Sequence, residues 1–216
     1  VQTRGAVVER WNKEIVWGDS RTNTGPLQQL GFPVLKVGQN NGSLHRCLAP
    51  PLHIVEQFYT KNGIPIEEDA DWVGVELMGP AKSDDDHKFY IQPNTETVNL
   101  HLNREPRFYG AISFDGSRYF GNGRISSESS VWYVGMKNKD PNGGSVLSRH
   151  SSTGYQCKKI VHYQSTVPDG SSAGLNMFKY AFPVIRLADL YLLYAEALNE
   201  SKTAPDAQVY EYIDLV

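Results

Sequence analysis

The chain of 216 residues is poor in sulfur and carries little net charge: two cysteines, three methionines, and 21 basic against 24 acidic side chains. Two thiols, Cys47 and Cys157, exclude a disulfide-stapled scaffold and any metal cage of four thiolates. They leave open one bridge or two separate thiols, because sequence fixes no geometry. A net charge of −3 without a basic cluster lacks the electrostatic footprint of a nucleic-acid binder. No apolar run is long enough to span a bilayer, since the most apolar window, Phe182 to Glu200, is broken by Arg186, Asp189 and Glu196. No signal sequence opens the chain, which starts on the polar run Val1-Gln2-Thr3-Arg4-Gly5.

The motifs of familiar catalysis are missing as well. There is no G-x-x-x-x-G-K-[ST] phosphate loop, no H-E-x-x-H zinc pair, no G-x-S-x-G elbow and no C-x-x-C. The six histidines, at 45, 53, 87, 101, 150 and 162, form no i,i+4 pair. Glycoside cleavage needs two carboxylates about 5–9.5 Å apart, one of them with a raised pKa. Among 24 acids the sequence singles out no such pair. Asp84-Asp85-Asp86 reads as a solvated loop, without the ligand spacing of an oxygen-coordinated cation site. No metal or cofactor is expected.

What the chain has in quantity is aromatic and turn-forming residues: 12 Tyr, 8 Phe and 4 Trp beside 19 Gly and 12 Pro. That describes one irregular, loop-rich domain with little regular sheet. A short helix running into a buried strand fits residues 1–18, with Trp11 and Trp17 among apolar neighbours as core. Asp19 to Ser43, punctuated by Gly25-Pro26, Gly31 and Pro33, predicts an extended loop with turns. Pro50-Pro51 opens a helix that Gly63 ends. Ala111 to Phe114 predicts a strand, Asp115-Gly116 a tight hairpin turn, and Tyr119-Phe120 the return strand. Val131–Val134 and Lys158–Tyr163 read as further short strands.

The most distinctive stretch is Tyr180 to Glu200, YAFPVIRLADLYLLYAEALNE. At about 100° per residue, Leu187, Leu190, Tyr191, Tyr194, Ala197 and Leu198 share one apolar face, the pattern of a core-packed helix. Pro183 suits its first turn, and Pro205 ends it. Arg186 beside Asp189, Glu196 and Glu200 suggests an internal clamp that pairs Arg186 with Glu196. Val209, Tyr212, Ile213 and Val216 continue into a second helix, so an antiparallel helical hairpin is expected over 179–216, with residues 1–178 forming a loop-rich portion. The second helix stops uncapped at Val216, which reads as a truncation.

This stretch strongly resembles the signature of the SusD/RagB family, P-x-I-R-x-A-[DE]-x-x-L-x-x-A-E-A-x-N-E, met here from Pro183 to Glu200. Ile213-Asp214-Leu215-Val216 resembles the family element that follows, with Asp where Asn is usual and no closing Arg. Glu14–Trp17, Pro50 through Ile66, and Asn103-Arg104-Glu105-Pro106-Arg107-Phe108-Tyr109 resemble family blocks in the expected order. The resemblance spans most of the chain and matches a middle-to-late portion of a longer protein. It implies a mainly α fold of TPR-like helical pairs with an irregular loop-rich region and a few short strands, incomplete in this chain. It also implies a non-catalytic, lipid-anchored protein on the outer-membrane surface of Bacteroidetes-type bacteria, which binds oligosaccharides or other nutrients and serves a SusC-like TonB-dependent transporter. The anchor and signal peptide are expected upstream of Val1. Family signatures do not carry the ligand residues, so candidates follow from physics: an open aromatic face stacks on the apolar side of a sugar ring while neighbouring polar groups fix its hydroxyls. Trp72, Trp132, Tyr133, Tyr119 and Phe120, set in polar or Gly-rich surroundings, are the candidates, with Arg186, Asp189 and Glu196 as structural residues of the signature. A helical-repeat adaptor that binds only protein and a glycan hydrolase are the alternatives.

Overall fold

The computed structural model describes residues 2–35, 47–124, 127, 130–144, 150–166 and 175–216. Among them lie six α-helices and eight short strands. In chain order these are α1 (Gln2–Val8), β1 (Ile15–Asp19), α2 (Thr24–Gly31), α3 (Leu52–Glu56), β2 (Pro80–Lys82), β3 (Glu96–Val98), α4 (Pro106–Ala111), β4 (Ile112–Ser113), β5 (Arg118–Tyr119), β6 (Trp132–Tyr133), β7 (Gln156–Cys157), β8 (Phe182–Arg186), α5 (Leu187–Glu200) and α6 (Ala207–Asp214). The strands pair antiparallel, two by two: β1 with β8, β2 with β3, β4 with β7, and β5 with β6. Regular structure is therefore mainly helical, joined by loops that short ladders pin together. The Cys47 and Cys157 thiols are both free.

Two apolar cores organise the loops. The first gathers Val55, Ile91, Leu100, Phe108, Ile112 and Phe114, with the rings of Phe108 and Phe114 stacked at 5.3 Å. The second holds Phe32, Val34, Tyr119, Val134 and Val161. Pro106, at the first position of α4, lacks an N–H that would have no partner there in any case, so the helix starts cleanly and points Phe108 and Tyr109 into the first core.

Each core also contains an arginine that is held by carbonyls. Arg104 is buried and donates to Leu100 O, Val55 O, Glu56 O, Phe58 O and Tyr59 O. Arg4 is buried beneath the second core and donates to Val161 O and Phe120 O, with its guanidinium 5.1 Å from the Tyr119 ring. These contacts satisfy chain segments that have no ladder of their own.

Several elements depart from the sequence reading. Within Asp19–Ser43, expected as extended loop, α2 forms because Asn23 caps it through Gly25 N–H and Pro26 falls in the first turn, where its missing donor is harmless. Gln28 then points inward and accepts from His162 N and Ser165 Oγ. Residues 36–43 of that stretch lie outside the described residues. Asp115-Gly116 does make a turn, closed by Ser117 N donating to Phe114 O at 3.0 Å, but no hairpin follows from it. Gly116 alone adopts positive φ, +75°, whereas the hairpin turn requires it at both central residues, so the flanking strands splay apart to β7 and β6. Lys158–Tyr163 is a run of turns, and the strand β7 ends just before it.

The signature region also differs in detail. Pro183 sits in β8 opposite Gly18, and α5 begins only at Leu187. Arg186 is the N-cap residue: its backbone N–H donates to Asp189 Oδ2 at 3.3 Å, and its guanidinium stands 3.9 Å from Asp189 Oδ1. Glu196 is exposed, so the Arg186–Glu196 clamp does not form. Arg186 precedes the helix and meets the acid of its first turn instead. Tyr191 and Tyr194, early in α5, meet Tyr212 late in α6 at 5.8 and 4.6 Å, so the two helices run antiparallel. Ala195 and Val209 are buried between them, while Leu190, Leu192, Leu193 and Ile213 face outward. Trp11 and Trp17, expected in the core, are 88% and 59% exposed. Trp11 adopts left-handed φ of +56° just past α1.

Candidate functional site

A cleft among the described residues has a volume of about 820 Å³, within the range of small-molecule sites. One wall is the β2–β3 ladder, whose antiparallel register sets Lys82 opposite Glu96 and Ala81 opposite Thr97. Gly79 N–H donates back to Glu76 O at 2.9 Å and turns Met78 and Pro80 to the same hollow. The opposite wall comes from the Asp115 turn, Met136 and Lys137. Asp115 holds that wall together, accepting Met136 N–H at 2.8 Å through Oδ1 and facing Lys137 Nζ at 3.7 Å through Oδ2.

His101 and Tyr155 form the floor. The His101 ring stacks on Phe114 at 4.1 Å; its Nδ1 lies 2.7 Å from Thr97 Oγ1 and its Nε2 3.0 Å from Tyr155 OH. Burial, helped by the nearby Arg104 charge, lowers its pKa to about 3, so the imidazole is neutral and spends one donor and one acceptor on its neighbours. Burial likewise pushes the Tyr155 hydroxyl up to about 12. The charged groups on the walls are two lysines and two carboxylates. Lys137 faces Asp115 and Lys82 lies across the ladder from Glu96, so the cleft offers hydrogen-bonding groups without an excess of either sign. Met78, Pro80, Val98 and Met136 supply apolar surface between them.

None of the five ring residues proposed from sequence lines this cleft. Tyr119 is fully buried in the second core, where no ligand can reach its face; its position on β5, between Arg4 and Phe32, is a packing position. Trp72 is also buried, 5.9 Å from the Arg104 guanidinium, and borders two smaller hollows of about 320 and 150 Å³. Trp132 is half-buried, its Nε1–H donated to Asn122 O and its face covered by Arg124 at 3.6 Å. Tyr133 is half-buried opposite Arg118 on the β5–β6 ladder, and Phe120 is half-buried 6.3 Å from Tyr163. Lys82, Glu96, His101, Asp115, Lys137 and Tyr155 were not distinguished by sequence reasoning. They lie in five separate segments, and only the Asp115-Gly116 turn signal marked any of them.

Fold and cleft together define an α-rich, loop-bearing scaffold with a sizeable, charge-balanced cleft among the described residues. The chain belongs to the SusD family, whose sequence profile (SusD_RagB) matches residues 13–216. Similar solved structures include BT4246, with 27% identity and a TM-score of 0.70, aligned over 98% of this chain and 34% of that one. The selenomethionine form of BT4246 aligns with 26% identity and a TM-score of 0.68, over 98% and 35% of the two chains. A SusD-like protein (BF3747) from Bacteroides fragilis NCTC 9343 shares the fold at 21% identity, with a TM-score of 0.62 and coverage of 99% and 38%. The chain thus spans about a third of the length of these structures. No curated protein matches it. Among the described residues no helix is long and apolar enough to cross a membrane.

Proposed function

We propose that this chain is the ligand-holding part of a non-catalytic, cell-surface nutrient-binding protein that captures an uncharged oligosaccharide in the β2–β3 cleft. In this reading the protein is lipid-anchored at the outer membrane and delivers its ligand to a SusC-like TonB-dependent transporter. The observation that carries it is the cleft itself: about 820 Å³, with Lys137 facing Asp115 and Lys82 across the ladder from Glu96, above a neutral His101–Tyr155 floor. Side chains of both signs give hydroxyls both donors and acceptors, whereas an anionic sugar meets as many carboxylates as lysines. Family membership supports the same reading.

Glycoside cleavage fits the cleft poorly. Asp115 faces Lys137 and Glu96 is exposed on the ladder, so neither carboxylate sits in an apolar pocket of the kind that holds a proton donor. Calorimetry of the native protein against uncharged and uronate-containing oligosaccharides tests the proposal. Binding of an uncharged oligomer that a Glu96→Ala, Lys137→Ala variant weakens, with little dependence on salt, is expected. Release of reducing sugar would replace the proposal with the hydrolase. Absence of any saccharide binding, with capture of a SusC-like barrel intact, would replace it with a protein adaptor.

A further inference from the structure

Thr97, His101 and Tyr155 all line the β2–β3 cleft, and they are joined in one hydrogen-bonded chain. His101 ends the helical turn Asn99–His101 that follows β3, which brings its Nδ1 back to 2.7 Å from Thr97 Oγ1. Its Nε2 stands 3.0 Å from Tyr155 OH. The ring is clamped in that orientation: Phe114 stacks on it at 4.1 Å, and Tyr155 meets it edge-on at 5.6 Å with planes 84° apart. Both hydroxyls are anchored as well. Thr97 is fixed in the ladder opposite Ala81, and Tyr155 is packed in the first core. Among the described residues neither hydroxyl has a hydrogen-bond partner other than His101.

A neutral imidazole carries one N–H and one lone pair, and burial beside the Arg104 charge keeps His101 neutral. The ring therefore donates to one hydroxyl and accepts from the other. With the hydrogen on Nε2, the ring donates to Tyr155 and Thr97 donates to Nδ1, so the Tyr155 hydrogen is left over and Thr97 keeps only lone pairs. With the hydrogen on Nδ1 every bond reverses at the same proton count, and the spare hydrogen belongs to Thr97. An imidazolium would free both hydroxyl hydrogens, but burial refuses that proton. The chain thus has a single hydrogen to give, at one end or the other, and the state of one end fixes that of its counterpart.

We infer that Thr97, His101 and Tyr155 determine the specificity of the cleft as a tautomer-coupled relay, which takes two neighbouring ligand hydroxyls, one accepting and one donating, and discriminates against a carboxylate there. A carboxylate brings lone pairs alone. One of its oxygens receives the spare hydrogen, and the other meets a hydroxyl oxygen with no hydrogen between them, which leaves an unpaired acceptor on each side. A pair of hydroxyls fits either order, since each can give or accept. Thr97 and Tyr155 are the groups that touch the ligand, and His101 is the positioning residue between them. The inference rests on reading the cleft as an oligosaccharide site, and it adds which hydrogens choose the ligand.

Nitrogen NMR of isotope-labelled histidine rings tests the relay, and calorimetry tests its ligand. Thr97→Val keeps the shape of the side chain and leaves Nδ1 without a partner. A buried lone pair is tolerated better than a buried N–H, so the ring hydrogen is expected on Nε2 in that variant and on Nδ1 in Tyr155→Phe. Opposite tautomers in the two variants, with the His101 signal identified by its loss in His101→Gln, are a readout that a packing role would not move. Each variant is expected to weaken binding of an uncharged glucose, mannose or xylose hexamer about three- to tenfold, the loss of one hydrogen bond. The native protein is expected to bind a galacturonate hexamer more weakly than the uncharged one. The same tautomer in both variants would overturn the relay. Unchanged affinity in both, for a hexamer that the native protein binds, would overturn its role toward the ligand and leave the cleft reading intact. Failure of the native protein to bind any uncharged hexamer would overturn the cleft reading together with the ligand assigned to the relay.

Discussion

Replacing Arg104 by methionine removes the donor on which the α3 end of the first core depends. Its guanidinium reaches Leu100 O and Val55 O at 3.0 Å each, Glu56 O and Tyr59 O at 3.3 Å each, and Phe58 O, with the Phe108 ring 4.9 Å away. Val55 and Glu56 are the last residues of α3, whose carbonyls have no partner within the helix and carry the negative end of its dipole. Burial lowers the Arg104 pKa to about 10, still well above neutral, so the group stays charged at the cost of its lost hydration. Methionine relieves that cost and fills similar volume. It offers no hydrogen, however, and the carbonyls of the buried residues Val55 and Leu100 lose their donor at about 1–3 kcal/mol each, while those of Glu56 and Tyr59, nearer the surface, recover water. The expected net loss is about 3–5 kcal/mol, as for a buried charge network deprived of its centre. Thermal unfolding should then move down by about 6–20 °C for a chain of this size. Arg104→Lys keeps the charge but not the fork and is expected to fall between. Urea unfolding of Arg104→Met within about 1 kcal/mol of the native protein would refute the reasoning, because it would mean that the carbonyls find other partners.

Acid should weaken the fold above the range in which carboxylates titrate. His101 has a folded pKa of about 3 against an ordinary 6.5, so between those values the unfolded chain takes up a proton that the folded one refuses. Stability is full above the ordinary value and falls below it, by about 2 kcal/mol from His101 at about pH 5. His162, buried with a pKa of about 4, adds to the loss in the same direction, and His101→Gln should flatten the slope measured by denaturant unfolding across that window. Gly121→Ala is expected to cost about 2–4 kcal/mol, because the residue has φ of +89° and a Cβ there lies 2.4 Å from Tyr163 O. Gly63→Ala, with φ of +78° and open space around it, should cost only about 1–2 kcal/mol, and equal losses by differential scanning would rule out the steric account. Arg186→Ala should lower stability by less than about 1 kcal/mol, since its carboxylate partner stands 3.9 Å away and half in solvent; a larger shift on urea titration would point to a buried partner.

The elements that sequence made legible are those whose signals are local. The α5 pattern and the α1–β1 order follow from periodicity within a dozen residues. The block Asn103–Tyr109 carries a family likeness in sequence, and its physical content emerges only in the fold. Arg104 clasps the α3 end, Glu105 accepts Tyr59 N–H at 2.9 Å, Pro106 starts α4, and Phe108 and Tyr109 fill the core. A charged residue that serves five carbonyls looks, in a linear sequence, like any surface arginine.

The same locality explains why the ring candidates missed the cleft. Polar, Gly-rich neighbours signal a loop, but a loop can be packed inward when its donors are met by buried side chains. Gly121 brings its segment against Tyr163, Asn122 donates to His162 O and Ser165 O, and Arg4 closes over Tyr119. Residues of a loop-rich sequence thereby acquire the burial of a strand core, and composition alone cannot separate the two. Phe89 and Tyr90 show the converse. Their neighbours Asp84, Asp85, Asp86 and Lys88 mark a solvated loop, yet the buried Ile91 and the stack on Tyr109 fix the rings in place at the surface. A ring held at the surface needs both exposure and anchorage. Exposure can be guessed from neighbours in sequence, while anchorage comes from Tyr109 and Arg118, which lie far along the chain.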